Sequence, residues 1–218
     1  MAYIGQGPSL VIWDWNGTLQ DDAAYVYECG VQRIFKTYGL PCPTIDEYKD
    51  EVKADFMLFY HGHGIPPEVT AEDLNKIMYA GFKEKGSPAP VFPDALEAVA
   101  QTRRLGYLCA LVSGYSSSKL VEAVRRNGFE RHLSPVIGDV RDKPAAFREV
   151  MAKHGAAPEL TFVVGDTTED AEAAREVGAT PFICPRGFHT RHKIESLYGA
   201  VPRLIVIATL RELLCYLP

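Results

Sequence analysis

The sequence predicts an α/β protein, a doubly wound parallel sheet interrupted by an all-helical insert. Three observations predict it. Short apolar runs recur along the 218 residues, each about the length of a buried strand. Segments with apolar residues at i, i+3 and i+4 alternate with them. One stretch, from about Asp21 to Gly86, carries helical period and no convincing strand. Strands covered on both faces read as continuous apolar runs, and alternation of strand and helix is what βαβ units impose.

Taken in order, Leu10–Trp13 is the first strand. Tyr27, Val31, Ile34, Phe35 and Tyr38 then share one helical face, and Pro41 and Pro43 end that helix. Thr44 and Glu47 have capping-box spacing, and the helix they open carries Ile45, Tyr48, Val52, Phe56 and Phe59 on one side. The glycine- and proline-rich turn from His61 to Pro67 leads to a third helix with Leu74, Ile77, Met78 and Gly81. Gly86–Pro90 reads as a hinge. Beyond it, Leu96, Val99 and Ala100 mark a helix, as do Phe147, Val150 and Met151. Leu108–Val112, Leu160–Val164, Pro181–Cys184 and Leu204–Ala208 are further strands, with Val136-Ile137 a shorter sixth. These assignments divide the chain into a Rossmann-like core at 1–19 and 87–218 and a small helical domain at 20–86.

The chain is long enough for one sizeable core, with or without an accessory domain. Its composition, 47% hydrophobic and 23% charged, is that of a globular protein. A net charge of −5 argues against a nucleic-acid partner, which would call for a basic face. No apolar run approaches the ~20 residues of a membrane span, and the first residues lack a signal-type pattern. A cytoplasmic protein without membrane contact is expected. The five cysteines, Cys29, Cys42, Cys109, Cys184 and Cys215, are odd in number and show no CxxC pair. Buried reduced thiols are expected of them.

The chemistry is concentrated at strand ends. Leu-Val-Ile-Trp-Asp14-Trp-Asn16-Gly17-Thr18 is a strand that stops at an acid and enters a glycine-containing loop. The second strand ends at Ser113-Gly114, bringing a hydroxyl beside that acid. Lys143 follows, in Asp142-Lys143-Pro144, just before a helix. The next strand runs into Gly-Asp166-Thr-Thr-Glu-Asp170, two carboxylates four residues apart at a helix opening. In open α/β sheets this carboxyl edge is where ligands bind. Acid, hydroxyl, lysine and acidic pair together describe a site for a dianionic phosphoryl group and a hard divalent cation. Taken singly, each residue also fits a cap, a turn or a solvated surface.

With these motifs in this order, the chain resembles the haloacid dehalogenase superfamily, in the phosphoglycolate phosphatase and phosphonatase-like branch that inserts a helical cap after the first strand. The resemblance covers nearly the whole length. It implies that Asp14 attacks phosphorus to form an aspartyl-phosphate, and that Asp14, the Asn16 backbone carbonyl and Asp166 hold Mg²⁺ with help from Asp170. Ser113 and Lys143 would stabilise the transferring phosphoryl charge. Gly17, Thr18 and Gly114 would shape the phosphate-binding loops. The implied partner is a small phosphorylated metabolite, and the implied state a monomer or homodimer.

Asn16 departs from the family pattern. Phosphatases of the family usually carry a second aspartate there, as general acid and base, and losing such a group commonly costs ~10²–10⁴-fold in rate. Three readings follow: a selective phosphatase of a substrate such as an acyl phosphate, a phosphonoacetaldehyde hydrolase-like enzyme with a cap lysine, Lys49 or Lys53, as Schiff base, or a phospholigand binder without catalysis. The loop after Asp21-Asp22, with His61 and His63, is placed to face the site if the cap closes. Turn or surface roles are the simpler expectation for both, and for His189 and His192. The cap aromatics, among them Tyr25, Tyr27 and Phe59, are expected to form its core.

Overall fold

The computed structural model describes residues 7–53 and 55–217. A six-stranded, all-parallel sheet forms the core: β1 (Leu10–Trp13), β2 (Leu108–Val112), β3 (Val136–Ile137), β4 (Thr161–Gly165), β5 (Thr180–Ile183) and β6 (Ile205–Val206). Its order is β3-β2-β1-β4-β5-β6. β1 is therefore central, with Trp13 level with Leu111 on one side and Val164 on the other. Chain direction across the sheet reverses beside β1, and that is where a crevice opens at the carboxyl edge.

Three strands differ from the sequence reading. Leu160 closes a 3₁₀ turn, so β4 starts one residue later and runs through Gly165. β5 starts at Thr180 rather than Pro181 and stops at Ile183, before Cys184. Of Leu204–Ala208 only two residues pair, because β6 is an edge strand that meets β5 only at Phe182 and Ile183.

Between β1 and β2 the chain is helical: α1 (Ala23–Val26), a π-helical turn Tyr27–Val31, α2 (Gln32–Thr37), α3 (Ile45–Glu51), α4 (Phe56–Gly62) and α5 (Ala71–Lys85). Val31, Ile34, Phe35, Tyr48, Phe59 and Leu74 form the buried centre of this cap. Both capping boxes, Thr44 with Glu47 and Thr70 with Asp73, are made, and Gly86 ends α5 in the left-handed region at φ 73°. The single helix expected from Ile45 to Phe59 is broken. Val52 is extended (ψ 139°), and α4 restarts after Asp55, whose carboxylate accepts the Met57 N–H at 3.2 Å. The break frees the Val52 carbonyl, which accepts from the core residue Lys193 at 2.5 Å and lies 3.1 Å from His189 Nε2.

After the cap, α6 (Ala95–Arg104) and α7 (Ser117–Arg126) cover one sheet face, and α8 (Lys143–His154) and α9 (Thr168–Glu176) the other. Val11 and Trp13 point into the first layer and Leu10 and Ile12 into the second, as alternation along β1 requires. On α6 the buried residues are Ala95, Ala98, Val99, Ala100 and Thr102, so Val99 and Ala100 are buried as expected while Leu96 is exposed. A short helix α10 (Arg191–Glu195) follows β5. The two cap linkers lie side by side: Phe92 N–H donates to the Leu19 carbonyl at 3.0 Å and Asp21 N–H to the Pro90 carbonyl at 2.9 Å.

The cysteines are free, but only Cys109 and Cys184 are buried. Cys42 and Cys215 are exposed and Cys29 lies between, so burial holds for Cys109 and Cys184 and fails for the rest. Among the described residues no helix is long and apolar enough to cross a membrane.

Candidate active site

Asp14, Ser113 and Asp166 each stand one residue beyond a strand, β1, β2 and β4, so three adjacent strands deliver them to one edge. Lys143, the first residue of α8, reaches over from the flanking layer. Its ammonium lies 3.2 Å from Asp14 Oδ1 and 2.5 Å from Asp170 Oδ1. Asp170 is the N3 residue of α9 and also closes that helix's capping box with Thr167. Carboxylate oxygens of Asp14, Asp166 and Asp170 all lie within 4.8 Å of one another. Ser113 is buried, and its Oγ accepts the Tyr115 N–H at 3.2 Å. Gly114 lines the cavity that also holds Asp14, Ser113 and Lys143.

Three buried carboxyls share one lysine, and the charges respond accordingly. Burial raises Asp14 to about 6; Lys143 pulls it down and Asp170 pushes it up. Asp166 is raised well above the usual carboxylate range, by burial first and then by Asp170 and Asp14. Burial works in the same direction on Asp170, but the Lys143 ammonium and the Thr167 hydrogen bonds outweigh it and hold that carboxyl low. Burial also disfavours the Lys143 charge, yet the two acids keep its pKa above the ordinary lysine value. The cluster is thus short of positive charge, and its donors are hard oxygens. Asp14, Asp166 and Asp170 could hold a divalent metal ion, which would relieve that imbalance.

Gly17 and Thr18 turn toward Asp166. Thr18 Oγ1 donates to Asp166 Oδ1 at 3.0 Å. Gly17 has φ 71°, and a Cβ there would lie 2.3 Å from Asp166 Oδ2, so both conformation and space demand glycine. The Phe188 N–H donates to that same oxygen at 2.6 Å. The loop bearing Phe188 is held by Arg186, which pairs with Asp94 at 2.9 Å and donates to the Thr18 carbonyl at 3.2 Å. Neither Arg186 nor Phe188 is foreseen from the sequence, since neither belongs to a local pattern.

Asp22 is the other unforeseen member. It occupies the N-cap of α1 but makes no cap bond. Its carboxylate turns back instead, accepting from the Asn16 side-chain amide and, at 2.8 Å, from the Gly17 N–H. Burial raises it to about 7, against the lowering effect of those two donors. The signal available was an acid at the entrance to the helical insert, six positions after Asn16.

The cap candidates divide. Lys53 lines the cavity of Asp14, whereas Lys49 is not among its walls and offers only a carbonyl to Lys193, at 3.4 Å. His61 Nδ1 faces the Ile65 carbonyl at 3.1 Å and His63 pairs with Glu51 at 2.7 Å, so both serve the cap's own turn. His192 is exposed. His189 is buried in the wall of the Asp14 cavity, accepting the Thr168 N–H at Nδ1 and facing the Val52 carbonyl through Nε2. It joins α9 to the break in the cap.

Solved structures with this fold include a conserved haloacid dehalogenase-like protein of unknown function from Agrobacterium tumefaciens, with a TM-score of 0.76 at 20% identity, covering 96% of this chain and 97% of that one. A haloacid dehalogenase-like family hydrolase from Streptococcus pneumoniae superposes with a TM-score of 0.71 at 19% identity, covering 97% and 99%. A predicted phosphoglycolate phosphatase from Haemophilus somnus gives 0.73 at 17%, covering 97% and 98%. At these identities the likeness establishes the fold. No curated protein matches the chain in sequence. The model of the haloacid dehalogenase-like hydrolases matches residues 8–178, a span that holds the cap, the lysine and all three clustered acids, and the chain belongs to that family.

Proposed function

We propose that the protein is a Mg²⁺-dependent hydrolase of a small phosphorylated metabolite, working through an aspartyl-phosphate on Asp14. The observation that carries this reading is the convergence of Asp14, Ser113, Lys143, Asp166 and Asp170 on one cavity and its buried floor. Asp14, Asp166 and the Asn16 carbonyl would hold Mg²⁺, with Asp170 in support. The ion would supply the positive charge that lets a carboxylate and a phosphoryl dianion approach each other.

Asp14 attacks phosphorus, and the bond from phosphorus to the leaving oxygen breaks. Lys143 and Ser113 offset the charge on the non-bridging oxygens, and Gly114 lines the space they occupy. Water then attacks the aspartyl-phosphate, releasing inorganic phosphate and restoring the carboxylate. Asn16 contributes its carbonyl but relays no proton, and its amide is anchored on Asp22. That favours leaving groups that need little protonation, acyl phosphates among them.

Phosphate release should be measured over acetyl phosphate, p-nitrophenyl phosphate and sugar and nucleotide monophosphates, with and without Mg²⁺. Release that needs Mg²⁺ and disappears in Asp14→Asn is the expected result. Release that survives that substitution would overturn the proposal. A second reading draws on Lys53, which faces the same cavity. Carbon–phosphorus cleavage through a Schiff base would leave Lys53 trapped by borohydride in the presence of phosphonoacetaldehyde, and no trapping would remove it.

A further inference from the structure

A second cavity, of about 690 Å³, adjoins the one that holds Asp14. The two share Asn16, Tyr115 and Phe188 as walls. The phosphoryl chemistry uses only the inner one. The outer chamber has a different character. From the cap, Tyr25, Met78, Tyr79 and Phe82 give it an aromatic and thioether wall. Tyr25 stacks on Phe82 with ring centres 5.2 Å apart, and Tyr79 meets Phe82 edge-on at 6.1 Å. Opposite, α7 presents Lys119, whose ammonium sits 4.0 Å from the Tyr79 ring centre. Lys83 adds a second ammonium from the cap. The neighbouring Arg126 is paired with Glu122 at 3.6 Å, while Lys83 and Lys119 make no ion pair among the described residues.

We propose that this chamber is the leaving-group subsite, and that it accepts a planar, mostly apolar organic group bearing a second negative charge. The inference rests on the phosphoryl-transfer reading and names its substrate class: an aryl phosphate whose ring carries an anionic substituent, a phenol-type leaving group that needs little protonation. In an in-line displacement the leaving oxygen departs on the side opposite the nucleophile. Asn16, two residues beyond Asp14, is one of the three walls that the phosphoryl cavity and the chamber share. The volume suits a ring, whereas a two-carbon acid would leave most of it to water. Aromatic walls hold a flat apolar body by stacking and edge contacts. Lys119 now rests on a ring face, a weaker partner than a carboxylate, and is ready to exchange one for the other. The far end of the phosphoryl cavity does not compete for this role. Val140, Pro144 and Ala173 are its apolar walls beside Arg141, Glu172, Arg175 and Glu176, and none of them offers an aromatic face for a ring.

The test compares kcat/KM for 4-carboxyphenyl phosphate, phenyl phosphate and 2-phosphoglycolate, with acetyl phosphate as the reading of phosphoryl transfer itself. The carboxylated ring should exceed phenyl phosphate by about tenfold, the scale of one charge-assisted hydrogen bond. Phenyl phosphate should in turn exceed 2-phosphoglycolate. In Lys119→Gln the first ratio should fall toward one while the second persists. Turnover of acetyl phosphate with equal kcat/KM for the three esters would overturn the subsite and leave the phosphoryl-transfer reading standing. An undiminished carboxylate preference in Lys119→Gln would also overturn it. Silence on all four substrates would overturn the phosphoryl-transfer reading instead. The subsite would then be judged by calorimetric titration of 4-carboxyphenyl phosphate and phenyl phosphate into the intact protein, tighter binding of the former supporting it and equal affinities ending it.

Discussion

An aspartate at the start of a helix ordinarily spends its carboxylate on the first turn. Asp22 spends its own on Asn16 and Gly17, and it is buried there. The consequence is a pH dependence with a definite sign. Its pKa is about 7 in the fold against an ordinary 3.8. Between those values the folded state keeps a proton that the unfolded chain has released, so this group's contribution to stability falls as pH rises from about 4 to about 7 and is level above that. In metal-free protein, Asp22→Asn should melt with the parent near pH 4 and above it at pH 8. Equal slopes of Tm against pH for the two proteins would contradict this. That Asp14, Ser113, Lys143, Asp166 and Asp170 would meet at one sheet edge was legible in the sequence, because each follows an apolar run or opens a helix. Asp22 and Phe188 were not. The first looks like a cap, and the second acts through a backbone N–H, which no side-chain pattern announces.

At the scale of elements, the legible features were those with local causes. The capping boxes opened by Thr44, Thr70 and Thr167 depend on residues three apart, and the Thr44 box could be read directly. The break at Val52 could not, because its cause lies in the core residues His189 and Lys193 that take up the freed carbonyl. The π-helical turn Tyr27–Val31 is of the same kind. A Cβ on Gly81 of α5 would lie 1.9 Å from the Cys29 carbonyl oxygen, inside that turn. The bulge and the glycine fit each other across the cap. Mid-helix glycine costs about 1 kcal/mol relative to alanine by propensity alone, and here close approach reverses the preference. Gly81→Ala should therefore destabilise the protein by about 1–3 kcal/mol, the usual cost of overpacking. Urea denaturation reads it, and a stabilised variant would refute the close packing.

For the whole molecule, strand–helix alternation made the doubly wound sheet and the helical insert legible, whereas the strand order is a tertiary fact that periodicity does not contain. That order is what gathers three acids from β1, β4 and α9 beside one lysine. Such a cluster carries an electrostatic cost that a bound cation would relieve. Mg²⁺ should raise the Tm, by the equivalent of about 2.7 kcal/mol at a hundredfold excess over its Kd. Asp166→Asn should start from a higher Tm without Mg²⁺, since it removes a carboxyl whose ionisation burial, Asp170 and Asp14 all oppose, and should lose most of the Mg²⁺ response. Differential scanning calorimetry with and without chelator distinguishes this from a cluster that binds no cation, for which parent and variant would be equally indifferent to Mg²⁺.

The paired linkers carry a consequence for how the molecule can be rebuilt. Where the chain leaves the sheet for the cap and where it returns, it is joined to itself by hydrogen bonds from Phe92 to Leu19 and from Asp21 to Pro90. The departing and returning ends are therefore neighbours, and the sheet encounters the whole insertion as it would a hairpin. The entropy of closing that long excursion is settled within the stem rather than charged to the folding of the sheet. A helical module put in its place would need ends that meet at the same spacing and a footing of its own where the Val52 carbonyl now meets His189 and Lys193. The chemistry at the strand ends would stay in place while the choice of molecule admitted to it is replaced in one piece.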